Sequence, residues 1–409
     1  MRRVVVVGGS LAGHRAAKTL RDLGYDGALT VVGAEPHRPY DRYPLSKAYL
    51  TGATDRQGLD LCGDDAEVVW RLGETVTALN MAGRFVTVSG GDRIGFDGLV
   101  VASGARPRDT AAVHGVHGAF VLRTVEDATG LRAALARGPR RVVVVGGGLI
   151  GAELAATAVA GGHHTTLLDS SDVPTSRTLG LAVAEYLLGL HLRAGVCVRP
   201  RTRARRLDVR DEAVTGVLLE DGTRLPADIV VMATGTTPNV EWLARSGLDI
   251  SGGLACGPTL HALGSGIVVG AGDVVRAPHS LLGGKSLRVE HWASTLDHAD
   301  LAAGNLMAGT KSAVPLTALP GFGTTIHGAR IRSVGFPQAA DRSRVVWGSL
   351  ESGEAVVLLG RGQQAVAAIS VNATARLPVV GRLLRPGVVL DDVPMSIDTA
   401  FAATMSSAT

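Results

Sequence analysis

The chain has 409 residues, of which 46% are hydrophobic and 19% charged, and its 54 glycines make about 13% against a usual level of roughly 7%. That composition excludes a disordered linker, and the lack of a Gly-X-Y period excludes collagen. A balance of 41 Lys and Arg against 37 Asp and Glu gives +4, too mild for a nucleic-acid binder, and the 4% aromatic content favours the Val, Leu and Ala interior of buried parallel strands.

Residues 4–13 read VVVVGGSLAG, a strand that meets a glycine turn and continues into a helical stretch over 15–23. Arg2 and Arg3 before this apolar run imitate a secretory leader, but His14, Arg15 and Lys18 follow at once without a small-residue cleavage site, so none is expected. A second apolar strand, ALTVVGAE at 28–35, completes a strand-helix-strand unit. Residues 85–107 carry a hairpin signal at Gly90-Gly91-Asp92 and then a strand ending in a small-residue turn. At 142–151 the text VVVVGGGLIG matches 4–13 at eight of ten positions, with a helix expected over 152–160 and a strand over 165–170. This run is apolar enough to suggest a bilayer span, yet Glu153 and four glycines in its first ten residues fit strand-turn-helix, and no membrane segment is expected. Residues 214–238 repeat the hairpin (Asp221-Gly222) and the closing strand, and SGIVVGAGDVV at 265–275 gives a strand suited to return to the first sheet. From about Leu319 the pattern changes to short strands at 330–336, 344–350 and 355–361 and a helix near 376–384, a smaller α+β domain.

The expected fold class is therefore α/β, with two Rossmann-like domains (1–112 with 243–318, and 113–242) plus a C-terminal α+β domain at 319–409. In a G-x-G-x-x-G turn the first glycine makes the tight exit from the strand, the second admits a pyrophosphate against the backbone, and the third lets helix and strand pack closely. Gly146, Gly148 and Gly151 fit fully, whereas the first copy reads Gly8, Ser10, Gly13. Each helix N-terminus offers free N–H groups to phosphate. An acid after the second strand, Glu35 or Asp169, is placed to take adenosine ribose hydroxyls. At the second site that acid repels a 2′-phosphate and favours NADH over NADPH, although Arg177 works against this preference. The basic run RTRARRLDVR at 201–210 reads as a solvated strand edge, or else as a docking strip for an acidic partner. Cys62, Cys197 and Cys256 are odd in number and widely spaced, which excludes a disulfide framework and a CxxC pair and suits a reducing cytoplasm. Adjacent His163 and His164 do not form a metal pair, and no metal is expected.

Together with RPYDRYPLSKAYL (38–50), ASGARP, ATGTTPN, GAGDV (270–274) and VEHW (289–292), the tandem glycine turns resemble the bacterial ferredoxin reductases. These are the putidaredoxin- and rubredoxin-reductase-like branch of the pyridine nucleotide-disulfide oxidoreductase superfamily, and the likeness runs from about residue 2 to 375. The resemblance implies an FAD domain, an inserted NAD domain and a C-terminal interface domain. By motif matching, FAD is held by Gly8, Ser10, Leu11, Ala12, Gly13, Glu35, Arg42, Lys47, Ser103, Gly104, Arg123, Gly272, Asp273, Glu290, His291 and Trp292. NAD is held by Gly146, Gly148, Leu149, Ile150, Gly151, Glu153, Asp169, Arg177, Thr234 and Gly235. Lys47, near flavin N5, and Glu153, the family's acid facing it, are the candidate catalytic pair; an interdomain structural ion pair is the alternative. Hydride transfer from nicotinamide to flavin needs no acid or base to break a strong bond, so the protein's task is to stack two rings and tune the charge around them. Where disulfide-type members place redox cysteines this chain has Tyr43-Pro44-Leu45-Ser46-Lys47, and thiol chemistry is not expected.

The branch usually carries an aromatic-Trp-Ser-Asp-Gln segment at the start of its third domain; here Phe322 keeps the aromatic and Gly323 stands at the Trp position, which is expected to open space. The expected activity is NADH:ferredoxin reduction, with a small [2Fe-2S] or similar ferredoxin serving an oxygenase or P450 as partner and a monomer or homodimer as the working form. The alternatives are an NADH oxidase or reductase using oxygen, a quinone or a small organic acceptor, and a non-enzymatic NADH-responsive redox sensor. The polar, Ser/Thr/Ala-rich tail at 391–409 reads as a frayed or docking segment.

Overall fold

The computed structural model describes residues 1–61, 67–108 and 110–393, and the chain forms two compact units. The first comprises residues 1–41, 57–106 and 237–320. Its centre is a five-stranded parallel sheet in the order Val268–Gly270, Gly98–Val101, Arg3–Val7, Ala28–Gly33, Val69–Leu72. The valines of the first strand are at most 4% exposed, as expected for a strand covered on both faces. The returning strand expected near 265–275 is present, with Val268 opposite Leu99 and Gly270 opposite Val101. Two helices with alanine-rich buried faces, Leu11–Asp22 and Trp292–Ala308, pack on each other; small side chains such as Ala16, Ala17, Ala299, Ala302 and Ala303 let them approach closely. The first helix starts four residues earlier than the sequence pattern suggests, because Gly13 lies inside its first turn rather than in the loop. The Gly90-Gly91-Asp92 signal does join two antiparallel strands, Phe85–Val88 and Arg93–Gly95.

The second unit comprises residues 42–56, 107–236 and the chain from Gly321 on. Its parallel sheet has the order Cys197–Arg199, His164–Leu168, Arg141–Val145, Ile229–Met232, Ala119–Phe120, the same plan as the first unit around the duplicated strand. The basic run forms the edge strand Ala204–Arg210 of a three-stranded antiparallel sheet. A further antiparallel sheet has the order Gly321–Ile326, Ala329–Gly335, Gln364–Val371, Glu354–Arg361, Arg342–Ser349. Two of these strands are not signalled by the sequence: Gly321–Ile326 is glycine- and threonine-rich without apolar alternation, and Gln364–Val371 is an almost continuous apolar run buried along seven positions. The helix expected near 376–384 is confined to Leu377–Gly381, since Pro378 starts it and Gly381 and Pro386 discourage continuation. Cys62 and residues 394–409, which include nearly all of the expected tail, lie outside the described residues.

Candidate active site

Both glycine turns have the geometry their sequences require. Gly8 and Gly146 sit at φ 121° and 106°, where a Cβ would come within 2.0 Å of the Ala102 carbonyl oxygen and 2.4 Å of that of Ala233. A Cβ on Gly13 would lie 1.8 Å from the Gly8 oxygen, and one on Gly151 1.9 Å from the Gly146 oxygen, so the third glycine is fixed by helix-strand contact. Gly148 differs: nothing lies within 4 Å of its missing Cβ, and it precedes the N-terminus of the Leu149–Ala160 helix. An uncluttered glycine backbone at the positive end of a helix fits a pyrophosphate.

The acids expected at the strand ends are not equivalent. The Gly8 N–H donates to Val32 O and the Gly146 N–H to Leu168 O, each at 2.8 Å, which superposes Val32 on Leu168 and therefore Gly33 on Asp169 and Glu35 on Ser171. Asp169 folds back on its own turn: Oδ2 accepts from the Gly147 N–H at 2.6 Å and Oδ1 from the Ser171 N–H at 2.7 Å. At the corresponding place in the first unit the Gly33 backbone lies against Gly9, and Glu35 instead accepts from the Tyr40 hydroxyl at 2.5 Å. Arg177 is exposed in the first turn of the Ser176–Arg193 helix, while Arg201 pairs with Asp172 at 2.9 Å. Gly235, at φ 106°, follows Thr234, and its carbonyl accepts from the Arg108 N–H at 3.1 Å. Ile150 is exposed at the start of the 149–160 helix and Leu149 is half-buried.

In the first unit several of the expected flavin-side residues converge. Gly272, at φ 75°, would bring a Cβ within 3.0 Å of Ala12 and 3.3 Å of Thr295, so Asp273 is carried where the 11–22 helix, the 268–270 strand and the 292–308 helix meet. Arg288 donates to the Asp273 carbonyl at 3.1 Å and pairs with Glu290 at 2.5 Å. His291 is the N-cap residue of the 292–308 helix; burial holds its imidazole down at about 4, against a weaker opposing pull from Asp273. Trp292 is 44% exposed and so is not an ordinary core residue. Ser103 and Gly104 are fastened by a residue the sequence did not single out. Asn239 accepts on its main-chain oxygen from Ser103 Oγ at 2.7 Å, and it donates through Nδ2 to Ser103 O and through its N–H to Gly104 O, each at 2.9 Å.

The Lys47–Glu153 pair lies in the second unit. Segment 42–56 is tied down at its start and its middle: Arg42 donates to the Arg123 carbonyl at 2.6 Å, just before a Thr124/Asp127 capping box, and the Tyr49 hydroxyl bonds Thr129 at 2.8 Å. Lys47 Nζ is 2.7 Å from Glu153 Oε2 and 4.1 Å from the Tyr43 ring centroid. Glu153 is only 7% exposed. A buried carboxylate is tolerable only with a charge partner and its remaining lone pairs satisfied. Ser46 Oγ donates to Oε2 and accepts from Lys47 Nζ at 3.1 Å, while Thr324 Oγ1 donates to Oε1 at 2.5 Å. Thr157, one helical turn beyond Glu153, donates to the Ser46 carbonyl at 2.9 Å and locks the segment onto the helix. Ser46, Thr157 and Thr324 were not singled out by sequence; Ser46 falls inside the 38–50 segment that carried the resemblance, and Thr324 beside Gly323, where the chain departs from the branch. The space beside Gly323 is taken by Arg332, its cross-strand partner, whose Nη1 would lie 2.3 Å from a Cβ there. The basic edge strand is exposed but locally balanced, with Arg206 and Arg224 sharing Asp208 at 2.9 and 2.8 Å. Among the described residues Cys197 and Cys256 are free, and no helix is long and apolar enough to cross a membrane.

A family profile described as pyridine nucleotide-disulphide oxidoreductase matches residues 2–299. The chain is 34% identical to putidaredoxin reductase of Pseudomonas putida over 99% of both sequences. It is 34% identical to the ferredoxin–NAD(+) reductase component of the biphenyl dioxygenase system of Paraburkholderia xenovorans, over 93% of this chain and 92% of that one. Among solved structures, the covalent putidaredoxin reductase–putidaredoxin complex superposes with a TM-score of 0.88 at 31% identity over 99% of both chains. With duplicated glycine turns, a shared architecture and full-length relatives, the chain belongs to the pyridine nucleotide-disulphide oxidoreductase family, in its bacterial ferredoxin-reductase branch.

Proposed function

We propose that the protein is an FAD-containing NADH:ferredoxin reductase that passes electrons to a small iron-sulfur protein serving an oxygenase. The observation that carries this reading is the pair of glycine turns with dinucleotide-type geometry, together with Glu153, on the helix that follows the second, paired in the interior with Lys47 of segment 42–56. In this reading residues 1–112 and 243–318 bind FAD, 113–242 bind NADH, and 319–409 form the partner-facing domain. FAD held there would supply the chemistry that takes two electrons as a hydride from NADH and gives them up singly. The 8–13 turn, Glu35 and Asp273 hold the flavin nucleotide; the 146–151 turn and Asp169 hold NADH. The Asp169 carboxylate repels a 2′-phosphate, which supports NADH over NADPH. Lys47 and Glu153, paired in the second unit, are the proposed catalytic pair, an ammonium whose charge is balanced by a fixed carboxylate.

Anaerobic NADH added to flavin-loaded protein should bleach the flavin absorbance, with NADPH slower, and a [2Fe-2S] ferredoxin should accelerate reoxidation. A flavin that NADH leaves oxidised overturns the proposal.

A further inference from the structure

We propose that Thr324 is a positioning residue for hydride delivery: its hydroxyl, on a strand of the C-terminal sheet, sets the Glu153 carboxylate against Lys47. The inference rests on the function proposed above and assigns the C-terminal sheet a part in the nicotinamide half-reaction as well as in partner contact.

The two oxygens of Glu153 are served differently. Oε2 takes both Lys47 and Ser46, which come from one short segment, whereas the hydrogen bond to Oε1 comes from Thr324. Without that hydroxyl, either oxygen of the carboxylate can turn towards Lys47, and the ammonium no longer has one preferred place. Thr324 is itself poorly free to move. It is 1% exposed, pairs with Ile331 across the Gly321–Ile326/Ala329–Gly335 ladder, and accepts on its carbonyl from Arg332 Nη1 at 3.3 Å. The pleat sends Thr324 inward while Thr325 is exposed, so the inward direction of this hydroxyl is a property of the sheet. A hydroxyl so fixed, 171 residues from its acceptor in sequence, makes the charge pair sensitive to how the C-terminal sheet sits on the helix after the second glycine turn. Reaction rates fall steeply with small misplacements of positioned groups.

The test compares Thr324→Val, which keeps shape and removes the hydroxyl, with Thr324→Ser, which keeps the hydroxyl. In stopped-flow reduction we expect Thr324→Val to lower the rate at saturating NADH by about tenfold with the NADH Kd nearly unchanged, and Thr324→Ser to stay within about twofold of the parent. A second readout needs no turnover: the side-chain carboxyl carbon resonance of Glu153, assigned through Glu153→Gln, should move in Thr324→Val and hold in Thr324→Ser. Equal impairment in both variants, or a parent-like rate in Thr324→Val, overturns the proposal. If the parent protein is not reduced by NADH at all, the function proposed above fails, and the Glu153 resonance still decides whether Thr324 positions the carboxylate.

Discussion

The two glycine turns are near-copies in sequence and backbone, yet the fifth residue of the following helix is Arg15 in the first and Glu153 in the second. Arg15 makes a two-pronged pair with Asp300 at 2.6 and 2.7 Å, with both side chains more than a third exposed. Glu153 makes its pair with Lys47 in the interior, with both side chains less than a fifth exposed. One position in a duplicated fold thus holds a surface fastening in one unit and a buried charge in the other. Salt bridges in water contribute little, whereas a buried charge commits its whole surroundings to satisfying it. The extra hydroxyls of Ser46 and Thr324 gather around Glu153 for that reason.

The largest effect should come from breaking the buried side of this comparison. Lys47→Met leaves the Glu153 carboxylate without its cation and should cost about 3–5 kcal/mol in urea unfolding, as well as most of the NADH reduction rate. Adding Glu153→Gln should recover much of the stability and little of the rate. A Lys47→Met protein as stable as its parent would show that the pair is not the buried one described.

Next is acid stability. Burial holds His291 and His298 in the first unit, and His191 in the second, near 4 from an ordinary 6.5. The unfolded chain binds these protons at higher pH than the folded one does, so their contribution is complete above about pH 6.5 and is lost as pH falls towards 4. The slope is up to roughly 1.4 kcal/mol per pH unit for each histidine. Urea unfolding between pH 4 and 7 should therefore be steeper for the first unit than for the second, and replacing His191 by Gln should flatten only the second unit's dependence.

Asp169→Ala comes third. Removing the acceptor of the Gly147 N–H should weaken NADH binding by about 1–3 kcal/mol while the flavin stays bound, and Glu35→Ala should do the reverse. Loss of flavin from the Asp169 variant with NADH affinity intact would exchange the two assignments. The smallest effect is expected for Arg15→Met: about 0–1 kcal/mol in thermal or urea unfolding, and no change in flavin reduction.

Much of this was legible because duplication writes itself in local text. The strand, turn and helix at 4–13 and 142–151 announce themselves through adjacent valines and glycines, and so does the returning strand that closes on Gly272 and Asp273. The equivalence of Glu35 and Asp169 was misjudged for a physical reason. Both acids follow apolar strands, and only the strand register reveals that one stands two positions beyond the other. The polar shell of Glu153 was hidden more deeply. Ser46 and Thr324 lie 107 and 171 residues away in sequence, and a hydroxyl carries no pattern that says which carboxylate it will meet. The Gly321–Ile326 strand was missed because its glycines and threonines lack the alternation by which a half-buried strand is recognised.

The returning strand also shapes how the chain reaches this structure. Val268–Gly270 pairs with a strand lying about 170 residues earlier, and most of the second unit is encoded between them. During synthesis the first sheet therefore waits with an open edge at Gly98–Val101 while an entire second sheet emerges, and the second unit in turn waits for its strands beyond Gly321. Such long-range pairing is slow and leaves strand edges exposed to other chains, so the interleaving that builds the two units also sets the interval in which nascent molecules are most prone to associate.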